Sequence, residues 1–290
     1  MSEAMSHVSA ASPLREAVGI FFARPSAVVG LLMLSAIVSG ALLGPVLLDV
    51  DPFDIVAAPL TPPGTSEAWL GSDQQGRDVL IGLIHGGRAT LAVGAVAAAI
   101  AVLIGITLGG LAGYFGGVID DVLMRCAEFF QVLPALLFAM VVATLFSPTL
   151  LVISLAIGLV SWPPTARLTR AEFLKLREFD FVAAEHVIGA STARILWKAI
   201  LPNAMPPLIV SATFAIGTAI LFEASLSFLG LGDPNRMSWG LMIGSGRSYM
   251  LACWWAVTFP GLMIFLTVLS ISLIGDGLND ALNPKLRERR

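Results

Sequence analysis

Three lysines, three histidines and two cysteines are the residues through which this sequence could do familiar chemistry, and their neighbours restrict it sharply. A loop that cradles a nucleotide phosphate needs lysine followed by serine or threonine. Lys175, Lys198 and Lys285 are followed by Leu176, Ala199 and Leu286, so the chain has no ATP-binding loop of that kind. A serine–histidine nucleophile needs both side chains at one depth. His7 stands near the start, His85 precedes a long apolar run and His186 lies in a charged stretch, so "GSGR" at 244–247 resembles a nucleophile site only superficially. Cys126 and Cys253 form neither a CxxC pair nor a metal-type spacing. Glu128 and Glu223 border charge-free windows, which leaves no pair of carboxylates inside one. The chain therefore reads as a non-enzyme that holds no cofactor and no metal of its own.

What remains is a concentration of charge. Arg170, Glu172, Lys175, Arg177, Glu178, Asp180, Glu185, His186, Arg194 and Lys198 crowd together in and before "FDFVAAEHVIGASTARILWKAILPN" (179–203). Phe181, Ala184 and Ile188 fall at i, i+3 and i+7, the apolar face of a short helix. Gly189 can stop that helix in a left-handed cap, and Ser191 can cap a second short helix running to Lys198. Pro202 suits the first turn of the next element, where its missing N–H costs nothing. The spacing predicts a helix–turn–helix elbow whose apolar face needs cover. That cover is lipid head groups, which favour basic residues, or a soluble partner.

The elements around the elbow follow from composition. The chain has 290 residues, 57% of them hydrophobic and 13% charged, with mean hydropathy +0.86. Soluble domains carry about 25% charged residues, so this surface is suited to a lipid bilayer. A net charge of −3 gives no sign of a nucleic-acid partner. Charge-free windows run over 25–48, 89–119, 129–166, 199–222 and 248–275. The 38-residue window at 129–166 is long enough for two spans, broken at "FSPTL" by Pro148. A span needs about 20 apolar residues, so six transmembrane helices are expected. The first window is too long for a signal-peptide core and reads as a retained span.

Lys and Arg fix the expected orientation. With the N-terminus inside, thirteen lie on cytoplasmic segments and four (Arg77, Arg88, Arg236 and Arg247) lie outside. Both termini are thus expected in the cytoplasm, and the two cysteines near opposite faces, unpaired. The expected organisation is a tail at 1–24, then a first span and extracytoplasmic loop at 25–88. A core of five spans follows at 89–277 with the elbow at 168–200, and a second tail at 278–290. Gly105, Gly109, Gly113 and Gly117 repeat every fourth residue, which reads as a helix-packing stripe. Arg125 stands three residues before Glu128 and is expected to pair with it. Glu223 reads as a structural hydrogen-bonding group near the outer face or as a pathway group.

The elbow resembles a known family. "AAEHVIG" (183–189), with Pro202 thirteen residues beyond its glycine, resembles the EAA loop of ABC importer permeases. "WLGSDQQGRDVLIGLIHGGRATL" (69–91), "SWPPTARLTRAE" (161–172), "EASLSFLGLGDP" (223–234) with "SWG" (238–240), and "GDGLNDALNPKLR" (275–287) resemble, in order, signatures of the dipeptide/oligopeptide type, C-type subunit. Ala183, Glu185 and Ser72 depart from the usual residues at their positions. The resemblance implies an all-α membrane protein with the type I permease fold, its elbow the coupling helix. It implies a related second permease subunit, two ATP-binding subunits that hold ATP and Mg, and an extracytoplasmic solute-binding protein. The location implied is the bacterial inner membrane. The coupling residues it points to are Phe181, Ala184, Glu185, Gly189, Arg194, Leu201 and Pro202, with Arg167 and Arg170 anchoring the inner end of the fourth span. Gly76, Arg77 and Asp78, with the 231–247 loop, form a candidate face for the binding protein or a helix cap with a local ion pair. Peptides are the expected cargo; nickel, glutathione or a sugar on the same architecture, or an ATPase-independent channel, are the alternatives.

Overall fold

The computed structural model describes residues 13–282 as helices and connecting turns. His7 and the basic group Lys285, Arg287, Arg289 and Arg290 lie outside the described residues. The expected first tail is in part a helix, α1 (Pro13–Phe22). Ala17 and Phe21 bury one of its faces against Ala27 and Ala281, and Arg24 pairs with Asp280 at 2.8 Å.

Helix α2 (Pro25–Leu48) matches the first charge-free window. Helix α3 (Val79–Phe115) starts ten residues before the second window. Charge-free counting misses these ten residues because the cap, Asp78, and the charge Arg88 both have local uses. Asp78 Oδ1 accepts from the backbone N–H groups of Leu80 and Ile81 at 2.7 and 3.4 Å. Arg88 Nε donates to the Ala41 carbonyl of α2 at 2.9 Å.

The third and fourth spans are each bent. Helix α4 (Gly117–Val132) meets α5 (Ala135–Leu145) at 83°, and α6 (Leu150–Ser161) meets α7 (Pro163–Arg177) at 44°. Between α5 and α6 the chain turns at residues 146–149, the break expected around Pro148. Pro134 and the pair Pro163–Pro164 stand at the two bends, where their missing N–H groups interrupt the helical ladder. Helices α8 (Asp180–Val187) and α9 (Thr192–Arg194) form the elbow. A π turn (Ile195–Ile200) then leads into α10 (Leu201–Phe228). Short α11 (Trp239–Gly246) precedes α12 (Trp255–Leu282), which carries the last window five residues into the expected second tail.

Among the described residues, four helical stretches are individually long and apolar enough to cross a membrane, and up to six spans result when each bent pair counts as one. α3 is the central rod, packed against α2, α6, α7 and α10. Its glycine stripe seats α7. A Cβ at Gly105 would lie 2.6 Å from Thr165 and one at Gly113 2.7 Å from Arg170; one at Gly109 would strike the Ala166 carbonyl oxygen outright. Gly117 is not part of the seam; it opens α4 with φ +55° and free space around it.

Candidate functional site

The elbow is built outward from a small core. Val182, almost fully buried, packs with Phe173, Leu176, Ile195, Leu196, Ile200 and Leu208, which joins α8 to the ends of α7 and α10. Arg177 reaches from α7 to the last turn of α3, where Nη1 donates to the Tyr114 carbonyl at 3.0 Å and to that of Gly113 at 3.4 Å. Those carbonyls are among the last four of α3 and lack helical donors, so a cation there satisfies both bonding and helix dipole. His186 stacks on Tyr114 with ring centroids 6.5 Å apart. The elbow is thereby tied to three helices at its root.

Its tip is different. Gly189 has φ +75° and closes α8, with its N–H donating to His186 and the Ala190 N–H to Glu185. Ser191 Oγ accepts from the Arg194 N–H at 3.4 Å and caps α9. Glu185 and Arg194 face each other across this turn, Oε2 to Nε at 3.4 Å. The expected apolar face is uncovered: Phe181, Ala184 and Ile188 are exposed, Ile188 by 69%, and Val187 beside them by 87%. Burying such side chains is worth roughly 1.5–3 kcal/mol each.

Pro202 stands in the first turn of α10, as its spacing implied. It has no N–H for the Lys198 carbonyl, and here the ladder widens to the π pattern, with the Leu201 N–H bonding Leu196. Asn203 Nδ2 donates to Ala199 at 2.7 Å in the same turn. Leu201 is half-buried against the elbow core. The second elbow helix α9, the π turn and α10 thus form one continuous helical rod, Thr192–Phe228.

The bent spans are joined to one another by ion pairs near the elbow. Arg170 donates through Nε and Nη2 to both oxygens of Asp120, a bidentate pair joining α7 to α4. Arg167 lies 3.8 Å from Glu128. Glu128 therefore pairs across to α7 rather than with Arg125, because the neighbouring helix brings a guanidinium within reach.

On the opposite side, "LGSDQQGRD" is a compact knot. Ser72 is fully buried; its Oγ donates to Ala58 at 2.6 Å and accepts the Thr61 N–H at 2.9 Å. Its carbonyl accepts from Trp255 Nε1 at 3.0 Å and Cys253 Sγ at 3.3 Å. Burial pushes the Cys253 thiol up, and both cysteines are free. Gly76 has φ +84° and its Cβ position runs into the Ala57 carbonyl oxygen. Arg77 lays its guanidinium 4.9 Å above the Phe53 ring, and Asp78 caps α3. Sequence reasoning marked this stretch but missed Ser72 as its hub; the signal was a hydroxyl kept where a threonine is usual.

Glu223 of α10 is buried, and its Oε1 accepts from Ser227 Oγ at 2.7 Å. The Thr90 and Ser238 hydroxyls lie beside the carboxyl. They accept from the N–H groups of Trp239 and Leu241 respectively, and Glu223 Oε2 is buried with no hydrogen-bond partner among the described residues. The carboxyl faces α3 and the start of α11.

Comparison with known proteins agrees with this architecture. Residues 105–288 match the family model described as binding-protein-dependent transport system inner membrane component. Residues 12–63 match the N-terminal TM domain of oligopeptide transport permease C. The chain is 42% identical over 283 residues to the di/tripeptide transport system permease protein DppC of Pseudomonas aeruginosa, covering 95% of this chain and 93% of that one. It is 40% identical to the dipeptide permease protein DppC of Bacillus subtilis, covering 90% and 82%. It is 35% identical to the oligopeptide permease protein OppC of the same organism, covering 90% and 86%. Among solved structures, an inward-facing MetNI methionine ABC transporter superposes with TM-score 0.57 at 20% identity, covering 70% of this chain and 96% of that one. This chain belongs to the inner membrane components of binding-protein-dependent transport systems.

Proposed function

We propose that the chain is the C-type permease subunit of an ATP-driven importer of short peptides, forming half of the translocation pathway in the bacterial inner membrane with both termini cytoplasmic. The observation that carries the reading is the elbow: an apolar tip left uncovered on a root that is tied to α3, α7 and α10. A tip of this kind gives an ATPase subunit a surface to grip. A partner whose affinity for the tip changes with nucleotide state biases the permease between conformations. Phe181, Ala184, Gly189, Leu201 and Pro202 form the grip and its hinge. Glu185 and Arg194 hold the turn between them. ATP and Mg belong to the two partner subunits.

A related permease chain supplies the other half of the pathway, and a binding protein delivers peptide to the outer face. There Gly76, Arg77 and Asp78 shape the docking knot beside the 231–247 loop. Glu223 serves the pathway from behind, holding α10 against α11. The proposed organisation is the tail 1–24, the first span and loop 25–88, the core 89–277 with its elbow 168–200, and the tail 278–290.

The names of the relatives support peptide cargo. Reconstitution in vesicles with the partner permease, both ATPase subunits and the binding protein tests it. ATP-dependent uptake of labelled dialanine is expected, with nickel and a sugar excluded. Absence of dialanine uptake, or purification that never retains ATPase subunits, overturns the reading.

A further inference from the structure

The two bends lie against one cavity. It has a volume of about 490 Å³ and is lined from α4–α5 by Phe130, Gln131 and Pro134, from α6–α7 by Val160 and Ser161, and from α10 by Thr218 among others. Pro134 has no N–H to give the Phe130 carbonyl, and Pro164 none to give the Val160 carbonyl, so both acceptors lack their helical donors at the cavity wall. Ser161 Oγ is buried and has no hydrogen-bond partner among the described residues. The lining contains no Asp, Glu, Lys, Arg or His.

Irregular backbone at membrane depth survives only where it is buried in protein or faces a cavity. Broken spans that face one another are where membrane carriers place solute-handling groups. The freed carbonyls here are acceptors that a ligand's N–H groups would satisfy, and the Gln131 amide and Ser211 hydroxyl on the same wall can donate to its carboxylate. A cavity of this size falls in the range of small-ligand sites, about 300–1,000 Å³.

We infer that this cavity is a solute station inside the permease. A short peptide pauses there with backbone amides and N-terminal ammonium donating to the freed carbonyls, to Ser161 and to the Thr218 hydroxyl oxygen, whose own proton is held by the Phe214 carbonyl, and with its side chains against Phe130, Phe214 and Phe222. With no formal charge in the wall, the station reads the peptide backbone and tolerates varied side chains. The inference rests on the peptide-importer reading above and adds a site of selection downstream of the binding protein.

The complete reconstituted importer tests it. Ser161→Cys, placed in a Cys126→Ser background, is expected to react with a small hydrophilic methanethiosulfonate. Dialanine, binding protein and ATP together should slow that reaction about fivefold, which corresponds to a station filled about four-fifths of the time; binding protein and ATP without peptide should not. Ser161→Val and Thr218→Val, on opposite walls, should each lower kcat/KM for dialanine uptake by about fivefold while ATPase activity with the binding protein stays intact. If wild-type importer takes up dialanine but peptide never protects the introduced thiol, the station is wrong and the importer reading stands. The station is equally wrong if both valine variants transport normally. If wild-type importer takes up no dialanine, both fall. Should Ser161→Val fail to assemble, Thr218→Val and the protection assay decide alone.

Discussion

Arg88 of α3 bonds the carbonyl of Ala41, four residues before Pro45 in α2. Pro45 has no N–H, so that carbonyl is the one its helix cannot satisfy. Arg88 therefore mends a break in a neighbouring helix, and its second nitrogen reaches Leu42 in the same turn. Arg88→Leu leaves the carbonyl unpaired inside the protein and should cost about 1–3 kcal/mol. Pro45→Ala restores the helical donor, so it should reduce that cost in the double variant. Thermal unfolding of the four variants in detergent measures the coupling, and additive effects would refute it.

The Asp120–Arg170 pair uses both nitrogens of a planar fork, which lysine cannot reproduce. Arg170→Lys should lose most of what Arg170→Gln loses, on the order of 1.5–3 kcal/mol for hydrogen bonds to charged groups. Thermal unfolding again reads the loss. A lysine variant as stable as wild type would show the pair to be a simple point-charge attraction.

Glu223 accepts from the Ser227 hydroxyl through Oε1, while its Oε2 is buried without a hydrogen-bond partner among the described residues. Glu223→Gln keeps an acceptor in place and should leave uptake nearly intact. Glu223→Leu strands the buried Ser227 hydroxyl without one and should lower stability by about 1–3 kcal/mol, with reduced folded yield. Size-exclusion yield and uptake, measured together, separate the two. A glutamine variant that folds normally yet transports nothing would assign the charge itself to the transport cycle.

Gly189 holds a left-handed backbone with open space around it, so a side chain there strains the backbone without a clash. Gly189→Ala should cost about 1–2 kcal/mol locally, by the handedness penalty alone. Phe181→Ala removes apolar area from the exposed tip without touching the hinge. The glycine variant is expected to retain ATPase subunits while transporting fewer peptides per ATP; the phenylalanine variant should lose the subunits in pull-down. Uptake per ATP hydrolysed, beside co-purification, distinguishes hinge from grip.

The elbow was legible in the sequence because its signals are local. Glycine at a left-handed turn, serine at a cap and proline in a first turn each act within a few residues. The start of α3 was not, since Arg88 looks like a loop charge until α2 lies beside it. The same holds for Glu128, whose partner Arg167 lies 39 positions away on another helix. Ser72 is the extreme case: its hydroxyl and carbonyl serve four partners, two of them more than 180 residues away in sequence. The bends at Pro134 and Pro163 were hidden by counting charges, which finds lengths of oil and not their angles.

The glycine seam between α3 and α7 also leaves a mark on how the gene can vary. Every amino acid that one base change can make from a glycine codon is larger, and at 105, 109 and 113 the added atom would fall within 3 Å of α7. In a saturation library scored for folded protein, the α7-facing part of α3 should therefore show three empty columns four positions apart, besides those where Gly87 and Gly94 meet Ala41 and Ile220. Gly117, outside the seam, should admit at least asparagine and aspartate, which tolerate its left-handed backbone, where a fourth gap would fall.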